Sequence, residues 1–172
     1  MRELADLIRS VPDFPRAGVM FRDVSPLLAS ADGFARCIEA LAEPWQGSGV
    51  QLVGGIEARG FIFGAALALR LHAGFVPLRK AGKLPPPVWA VDYVLEYGSD
   101  RLEMQCEVAT PGERVLLVDD VLATGGTLQA AADLLERSAA TLVGAAVVIE
   151  LAALGGRSRW AERGLLHSLL RY

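Results

Sequence analysis

Two adjacent carboxylates followed by a glycine loop form the segment of the chain best suited to chemistry. Asp119 and Asp120 come after the apolar run 115–118, and the small residues that follow are Ala123, Thr124, Gly125, Gly126 and Thr127. A strand that leads through such a loop into a helix leaves free backbone N–H groups and the positive end of the helix dipole at the loop, where they bind phosphate. The paired acids suit the hydroxyl groups of a sugar or a hydrated metal ion. This order of residues therefore predicts a site for a phosphorylated sugar.

Other interpretations of the same segment explain less of it. An ordinary strand–turn–helix connection with Thr127 as the helix N-cap accounts for the glycines and threonines, but not for two consecutive acids after an apolar strand. A Walker A loop needs the pattern GxxxxGK[ST], and a dinucleotide-binding loop needs GxGxxG after a strand; the segment has neither. It resembles instead the signature with which type I phosphoribosyltransferases bind 5-phosphoribosyl-1-diphosphate (PRPP), in which two acids precede ATGGT.

Three further segments narrow the resemblance to the adenine phosphoribosyltransferases. They comprise residues 12–15 with 18–24, residues 57–64, and residues 76–80 with 82–85 and 95–98. The likeness extends from about residue 11 to residue 151, which is most of the chain. It implies an enzyme of purine salvage that converts adenine and PRPP to AMP and pyrophosphate by displacement at ribose C1. It also implies Mg²⁺, held through PRPP and water rather than by direct protein ligands.

The resemblance assigns the second segment to pyrophosphate binding. Glu57, Ala58 and Arg59 would form the pyrophosphate loop, with a non-proline cis peptide bond near Glu57–Ala58. The other pyrophosphate-binding residues would be Arg79, Lys80, Lys83 and Tyr97. Taken without the resemblance, Arg59 can also be an exposed residue at the start of a helix, and the cations a solvated charge run.

The resemblance also assigns the catalytic and base-binding residues. Asp119 and Asp120 would hold the ribose hydroxyls, and Glu96 is the candidate for the purine proton. Phe21 would stack on one face of adenine and Leu151 would cover the other, while backbone groups of neighbouring residues, Met20 and Arg22, would contact the base edge. Without the resemblance, Phe21 and Leu151 are interpreted as core residues.

Hydrophobic periodicity predicts the elements that carry these residues. Helices are expected in residues 1–10, from about Asp32 to Pro44, and in residues 60–71 and 127–137. Strands are expected in residues 51–56, 75–78, 114–118 and 142–151, with a hairpin of residues 91–95 and 102–108. Several of these strands are apolar on both faces, which predicts an α/β fold with a central, mainly parallel sheet flanked by helices, the type I phosphoribosyltransferase fold.

The hairpin is expected to stand apart from that sheet. By resemblance it is a β-hairpin lid, mobile over about residues 80–104, that carries Glu96 and Tyr97 to the substrates. Its turn, residues 98–100, has no apolar anchor, so few contacts should hold it when empty. A base-binding N-terminal segment of about residues 11–28 completes a single phosphoribosyltransferase domain, residues 1–172.

Composition limits the partners. The net charge of −3 argues against a nucleic-acid binder that neutralises many phosphates. Charged residues interrupt the first ten positions and the longest apolar runs are shorter than the roughly 20 residues that span a bilayer, so no signal peptide and no membrane are expected. Two unpaired thiols, Cys37 and Cys106, suggest the cytoplasm.

The substrates adenine and PRPP are the expected small-molecule partners, and the resemblance implies a homodimer.

Two rival functions differ in testable ways. A hypoxanthine/guanine or xanthine enzyme would share the PRPP loop, but the segments around Phe21 and residues 84–97 argue against it. A transcriptional regulator that senses PRPP would be expected to add a DNA-binding segment, for which 172 residues with an acidic balance leave no room.

Overall fold

The computed structural model describes residues 2–95 and 98–172. The helices are α1 (Arg2–Ala5), α2 (Ser25–Ala29), α3 (Ala31–Ala42), α4 (Gly60–Leu71), α5 (Gly126–Arg137) and α6 (Gly156–Trp160). The strands are β1 (Arg9–Pro12), β2 (Met20–Asp23), β3 (Leu52–Ile56), β4 (Gly74–Lys80), β5 (Val88–Leu95), β6 (Gly98–Gln105), β7 (Arg114–Leu122), β8 (Thr141–Glu150) and β9 (Leu165–Arg171).

One mixed sheet of seven strands organises this part of the chain. Its order is β5-β6-β4-β3-β7-β8-β9, and every neighbouring pair from β4 to β9 is parallel. The hairpin strands β5 and β6 are antiparallel, and β1 pairs with β2 in a separate two-stranded arm. The predicted α/β fold with a mainly parallel central sheet is therefore confirmed.

The sheet is buried on both faces, which explains the continuous apolar sequence of its central strand β7. Val115 and Leu117 pack into the cluster that contains α5. Leu116 and Val118 point the other way, into the cluster that contains α1 to α4. Because successive side chains of a strand alternate between faces, only an unbroken apolar run fills both clusters. Cys37 is buried in the second cluster, and both cysteines are free thiols.

The topology opens a crevice between β3 and β7. These strands are neighbours, yet β3 continues into α4 on one face of the sheet and β7 continues into α5 on the other. The two connecting loops, residues 57–59 and 123–125, therefore diverge from adjacent strand ends. In open α/β sheets ligands bind in this kind of crevice, outside the carboxyl ends of the strands.

The hairpin does not stand apart from the sheet, so that prediction is wrong. The last two residues of β4, Arg79 and Lys80, pair with Glu103 and Leu102 of β6 and join the hairpin to the sheet edge. One face of the hairpin is also buried with α5, through the side chains of Val91, Tyr93, Leu102 and Met104. These apolar side chains recur at every second position, and the free energy gained by covering them attaches the hairpin to the core.

The chain termini also depart from the expected elements. A helix was expected in residues 1–10, but the first helix ends at Ala5 and residues 9–12 form β1. Pairing with β2 outweighs the helical spacing of residues 4–8, since backbone hydrogen bonds to a remote segment do not appear in local periodicity. Neither α2 nor the final strand β9 is predicted by the sequence, and β9 extends the sheet beside β8 in parallel.

A buried carboxylate at the end of β8 fastens this last strand. Glu150 is 1% exposed and accepts hydrogen bonds from Arg157 Nε (3.0 Å to Oε1), Arg157 Nη2 (2.5 Å to Oε2) and Ser168 Oγ (2.7 Å). Arg171 Nη2 lies 3.2 Å from the same carboxylate. The bonds from Arg157 outweigh burial and lower the pKa of Glu150 to about 2. The carboxylate is therefore charged at neutral pH, and its charge is compensated.

We expect Glu150 to make the chain acid-labile over a defined pH window. Because its pKa is lower in the folded chain than in the unfolded chain, its contribution to the free energy of unfolding is complete above about pH 4.5 and is lost as the pH falls toward 2. In Glu150→Gln this loss should be absent, so the decline in unfolding free energy between pH 5 and pH 2.5 should be shallower, as measured by urea denaturation. Glu107→Gln removes an exposed carboxylate as a control. Equal slopes in wild type and Glu150→Gln would contradict the expectation.

Candidate active site

The connection from β7 to α5 forms a small cradle. Gly125 has φ +83° and is the N-cap of α5, so Thr127 does not take the N-cap position that the alternative interpretation as an ordinary turn gave it. The left-handed φ favours glycine and lets the backbone turn directly into the helix. The cradle has a volume of about 60 Å³, and the loop residues that line it are Ala123, Thr124, Gly125, Gly126 and Thr127. All five lie where backbone N–H groups and the helix dipole favour an anion.

The two acids lie within β7 rather than after its end. The strand continues to Leu122, so Asp119 and Asp120 take their orientation from the sheet. Asp120 is only 4% exposed, and its Oδ2 lies 2.7 Å from Nε of Arg59. Both acids line a cavity of about 320 Å³, the strand-edge cavity, together with Glu57, Ala58, Arg59, Lys80, Val121, Ala123 and Thr127. Residues from both diverging loops thus meet in one cavity.

Burial controls the ionisation of the acid pair. It raises the pKa of Asp119, and the adjacent Asp120 carboxylate raises it further. Burial also raises the pKa of Asp120, against the opposing effect of the Arg59 guanidinium. Arg59 is therefore the cation on which the charged state of the pair depends. Its side chain is 43% exposed, so it remains accessible from the cavity.

The loop of residues 57–59 contains the expected cis peptide bond, between Glu57 and Ala58. The Glu57 carboxylate accepts hydrogen bonds from the Lys80 backbone N–H (3.0 Å) and from Nε of Arg79 (3.3 Å), and it also pairs with Nζ of Lys83. Burial raises the pKa of Glu57, but the bonds from Lys83 and Lys80 outweigh it and the net shift is downward. Glu57 is therefore an anchor for two of the cations predicted to bind pyrophosphate.

Lys80 is also paired with an acid. Its Nζ lies 2.5 Å from Oδ2 of Asp100 and contacts the Tyr93 hydroxyl. These bonds raise the pKa of Lys80 against the effect of burial. Both partners come from the hairpin, and sequence reasoning missed them because their proximity to Lys80 depends on the pairing of β6 with β4. The cations expected to bind a diphosphate are thus held in place by carboxylates.

A second, more apolar cavity adjoins the first. It has a volume of about 530 Å³ and is lined by Arg9, Val11, Phe14, Phe21, Asp23, Val24, Ser25, Leu28 and Arg59. Phe14 and Phe21 meet edge to face, with ring centroids 5.1 Å apart. The guanidinium carbon of Arg59 lies 5.5 Å from the Phe21 centroid. We call this space the aromatic cavity, and Arg59 is the residue that it shares with the strand-edge cavity.

The remaining predicted base-binding residues do not line the aromatic cavity. Met20 is 48% exposed, and the Arg22 guanidinium stacks 3.9 Å from the Tyr172 ring centroid. Leu151 packs against the core, and its N–H donates to Leu122 O at 2.9 Å. Phe14, which lines the cavity, was not singled out as a base-binding residue, although it lies in the predicted segment 11–28. The sequence offered one signal for Phe14, which is that it is an aromatic residue flanked by two nearby prolines.

Two predicted residues, Glu96 and Tyr97, lie outside the described residues. Within residues 2–95 and 98–172, no cluster of His, Cys, Asp and Glu side chains is arranged to hold a metal ion. No helix in the same ranges is long and apolar enough to cross a membrane. The carboxylates of Asp119 and Asp120 nevertheless supply hard oxygen donors of the kind that Mg²⁺ accepts, directly or through water.

Comparison with known proteins agrees with this geometry. Residues 27–163 match the phosphoribosyl transferase domain. The adenine phosphoribosyltransferase of Thermobifida fusca is 54% identical over 155 residues, 90% of this chain and 88% of the relative. The crystal structure of adenine phosphoribosyltransferase from Rhodothermus marinus superposes with a TM-score of 0.95 at 47% identity and covers 99% of this chain and 97% of its own. The Saccharomyces cerevisiae enzyme, complexed with adenine and an iminoalditol bisphosphate, reaches a TM-score of 0.89 at 37% identity and covers 97% of this chain and 95% of its own.

Proposed function

We propose how this site works from the premise that the chain belongs to the adenine phosphoribosyltransferase family. The chain therefore joins adenine to PRPP and forms AMP and pyrophosphate, a reaction of purine salvage. The observation that carries the assignment of roles is that Arg59 lines both cavities. PRPP would occupy the strand-edge cavity and the cradle, and adenine the aromatic cavity, so that the reacting atoms meet beside Arg59.

The residues around the strand-edge cavity would bind PRPP. The 5-phosphate fits the cradle of residues 123–127, where backbone N–H groups are available. Asp119 and Asp120 would accept hydrogen bonds from the ribose hydroxyls and fix the sugar, which is an orientation effect. Arg59, Arg79, Lys80 and Lys83 would stabilise the charge that grows on the departing diphosphate, together with Ala58 and Tyr97. Glu57 would hold Arg79 and Lys83 in position for this task.

The residues around the aromatic cavity would bind the base. Phe21 offers a face for stacking and is itself held by Phe14. Contact of the base edge with backbone groups of Met20 and Arg22, and cover of the opposite face by Leu151, rest on the family resemblance alone, because none of these three residues lines the aromatic cavity. As adenine N9 bonds to ribose C1, the bond from C1 to the diphosphate oxygen breaks and the N9 proton is released. Glu96 is the proposed acceptor of that proton.

Magnesium is the proposed cofactor. It would be held through PRPP oxygens and water rather than by direct protein ligands, in a cavity that Asp119 and Asp120 line. When bound, it would neutralise negative charge on the diphosphate. The protein's own contribution remains the placement of the sugar and the cations. We also propose that the chain acts as a cytoplasmic homodimer, by similarity to its family.

The direct test is an AMP-formation assay with adenine, PRPP and Mg²⁺. Hypoxanthine, guanine and xanthine in the same assay test the choice of base, and EDTA tests the need for Mg²⁺. Turnover of adenine well above the other bases is expected. Failure to use adenine, together with retention of DNA in a gel shift, would favour a PRPP-sensing regulator instead.

The lid remains a prediction, now confined to the tip of the hairpin. Val91, Tyr93, Leu102 and Met104 are buried against α5, so their amides should exchange slowly with or without ligand. Gly98 and Ser99 are exposed, and the contact of nearby Asp100 with Lys80 would change when a diphosphate competes for the ammonium group. Within the hairpin, hydrogen exchange with and without PRPP should therefore show added protection at residues 98–101 and not at the four buried positions. Strong and equal protection of these amides with and without PRPP would indicate that the hairpin tip does not move.

A further inference from the structure

A contact between the cradle and the C-terminal segment lies outside the roles described so far. The first residue of α6, Gly156, packs directly on the loop that follows β7. A Cβ atom added at Gly156 would lie 2.4 Å from the carbonyl oxygen of Ala123, and one added at Gly125 would lie 3.0 Å from the carbonyl oxygen of Gly156. The two backbones therefore approach as closely as the absence of side chains allows.

The next residue, Arg157, fixes where α6 sits. Its guanidinium donates to both oxygens of the buried Glu150, at distances from 2.5 to 3.1 Å. It also donates to the carbonyl of Leu166 (3.0 Å) and to Ser168 Oγ (2.8 Å) in β9. A planar guanidinium that donates to several acceptors in this way has little freedom to move. The start of α6 is thus fastened to the end of β8 and to the first half of β9.

Neither Gly156, Arg157 nor Glu150 lines the strand-edge cavity, the cradle or the aromatic cavity. Their effect on a ligand must therefore be indirect. Trp160 anchors the end of α6 in the core cluster that contains α5, whereas the ion pair of Arg157 with Glu150 anchors the start of the helix, next to Gly156.

We infer that Glu150 and Arg157 are positioning residues for the 5-phosphate of PRPP: through Gly156 they support the backbone of residues 123–125 from behind. This inference rests on the proposed function. A phosphate bound by backbone N–H groups depends on the placement of those groups, and in catalytic sites a displacement of about 1 Å can lower the reaction rate about 100-fold. Without this support, the backbone N–H groups of the cradle would be less well positioned, which would weaken binding of the phosphate end alone.

The test compares a ligand that uses the cradle with one that does not. AMP carries a 5-phosphate, whereas inorganic pyrophosphate would bind at the other end of the strand-edge cavity. In Arg157→Met we expect the dissociation constant of AMP to rise by about 10-fold or more, the scale found for partners that orient a binding group. Pyrophosphate affinity should stay at the wild-type value, and KM should rise for PRPP but not for adenine. Calorimetric titration and steady-state kinetics measure both.

Matched variants keep the outcome decisive. Arg163→Met removes an arginine from the same segment that is paired with Asp133 and Glu136, at the far end of α5, and should leave AMP affinity unchanged. Arg157→Lys keeps the charge without the fork and should fall between wild type and Arg157→Met. Gly156→Ala tests the contact itself, and should weaken AMP binding selectively even if Arg157→Met folds poorly.

The opposite results are equally clear. Unchanged AMP affinity in folded Arg157→Met and Gly156→Ala, or equal weakening of AMP and pyrophosphate, would overturn the inference. The same selective loss in Arg163→Met would also overturn it. A wild-type chain that binds no AMP would overturn the proposed function as well, so the two failures are distinguishable.

Discussion

Replacement of Asp120 by asparagine is expected to lower kcat/KM by about 100- to 1000-fold with little change in the melting temperature. Asparagine preserves the shape of the side chain but removes the charge that would fix the ribose hydroxyls beside Arg59. The fold should tolerate the change, because burial already disfavours the ionised carboxylate and raises its pKa. The effect should therefore appear in turnover rather than in stability.

Steady-state kinetics and calorimetric melting of the same preparation separate the two effects. Asp133→Asn serves as a control, since Asp133 is also ion-paired but lies on α5 away from both cavities. It should retain wild-type kcat/KM. A stable, fully active Asp120→Asn enzyme would show that Asp120 is not a functional residue of the site.

Replacement of Arg59 by methionine is expected to be nearly as damaging, with a loss of about 100-fold or more in kcat/KM. Arg59 is the residue common to both cavities, and it lowers the pKa of Asp119 and of Asp120. Without the guanidinium both pKa values should rise, so the acids become protonated at a higher pH. The acidic limb of the remaining activity should therefore move to higher pH.

A pH profile of kcat/KM for wild type and Arg59→Met measures that displacement. Arg70→Met is the matched control, because Arg70 lies at the other end of the same helix, α4, in an ion pair with Glu39. Its profile should coincide with that of wild type. An acidic limb that stays in place in Arg59→Met would show that Arg59 does not control the ionisation of the acids.

Much of the site could be predicted because its chemistry is contiguous in the chain. Residues 119–127 contain the acids, the loop and the start of α5 in one stretch, so local order alone predicts an anion site. The fold class was also predictable, since alternating strands and helices with two-faced apolar strands favour a buried parallel sheet. The cis bond at Glu57–Ala58 and the identity of the base followed only from the family resemblance.

Contacts between remote segments were decided by the tertiary structure alone. Asp120 meets Arg59, Lys80 meets Asp100, and Gly156 meets Ala123, although nothing near any of these residues in the sequence marks its partner. The hairpin joins the sheet, and β9 extends it, because pairing buries apolar faces and satisfies backbone groups that local periodicity cannot assign to a particular neighbour. The local sequence pattern determines which chemical groups the chain can offer a ligand. Long-range strand pairing and packing determine which of those groups come together, because the free energy that selects one strand register is contributed by residues throughout the core.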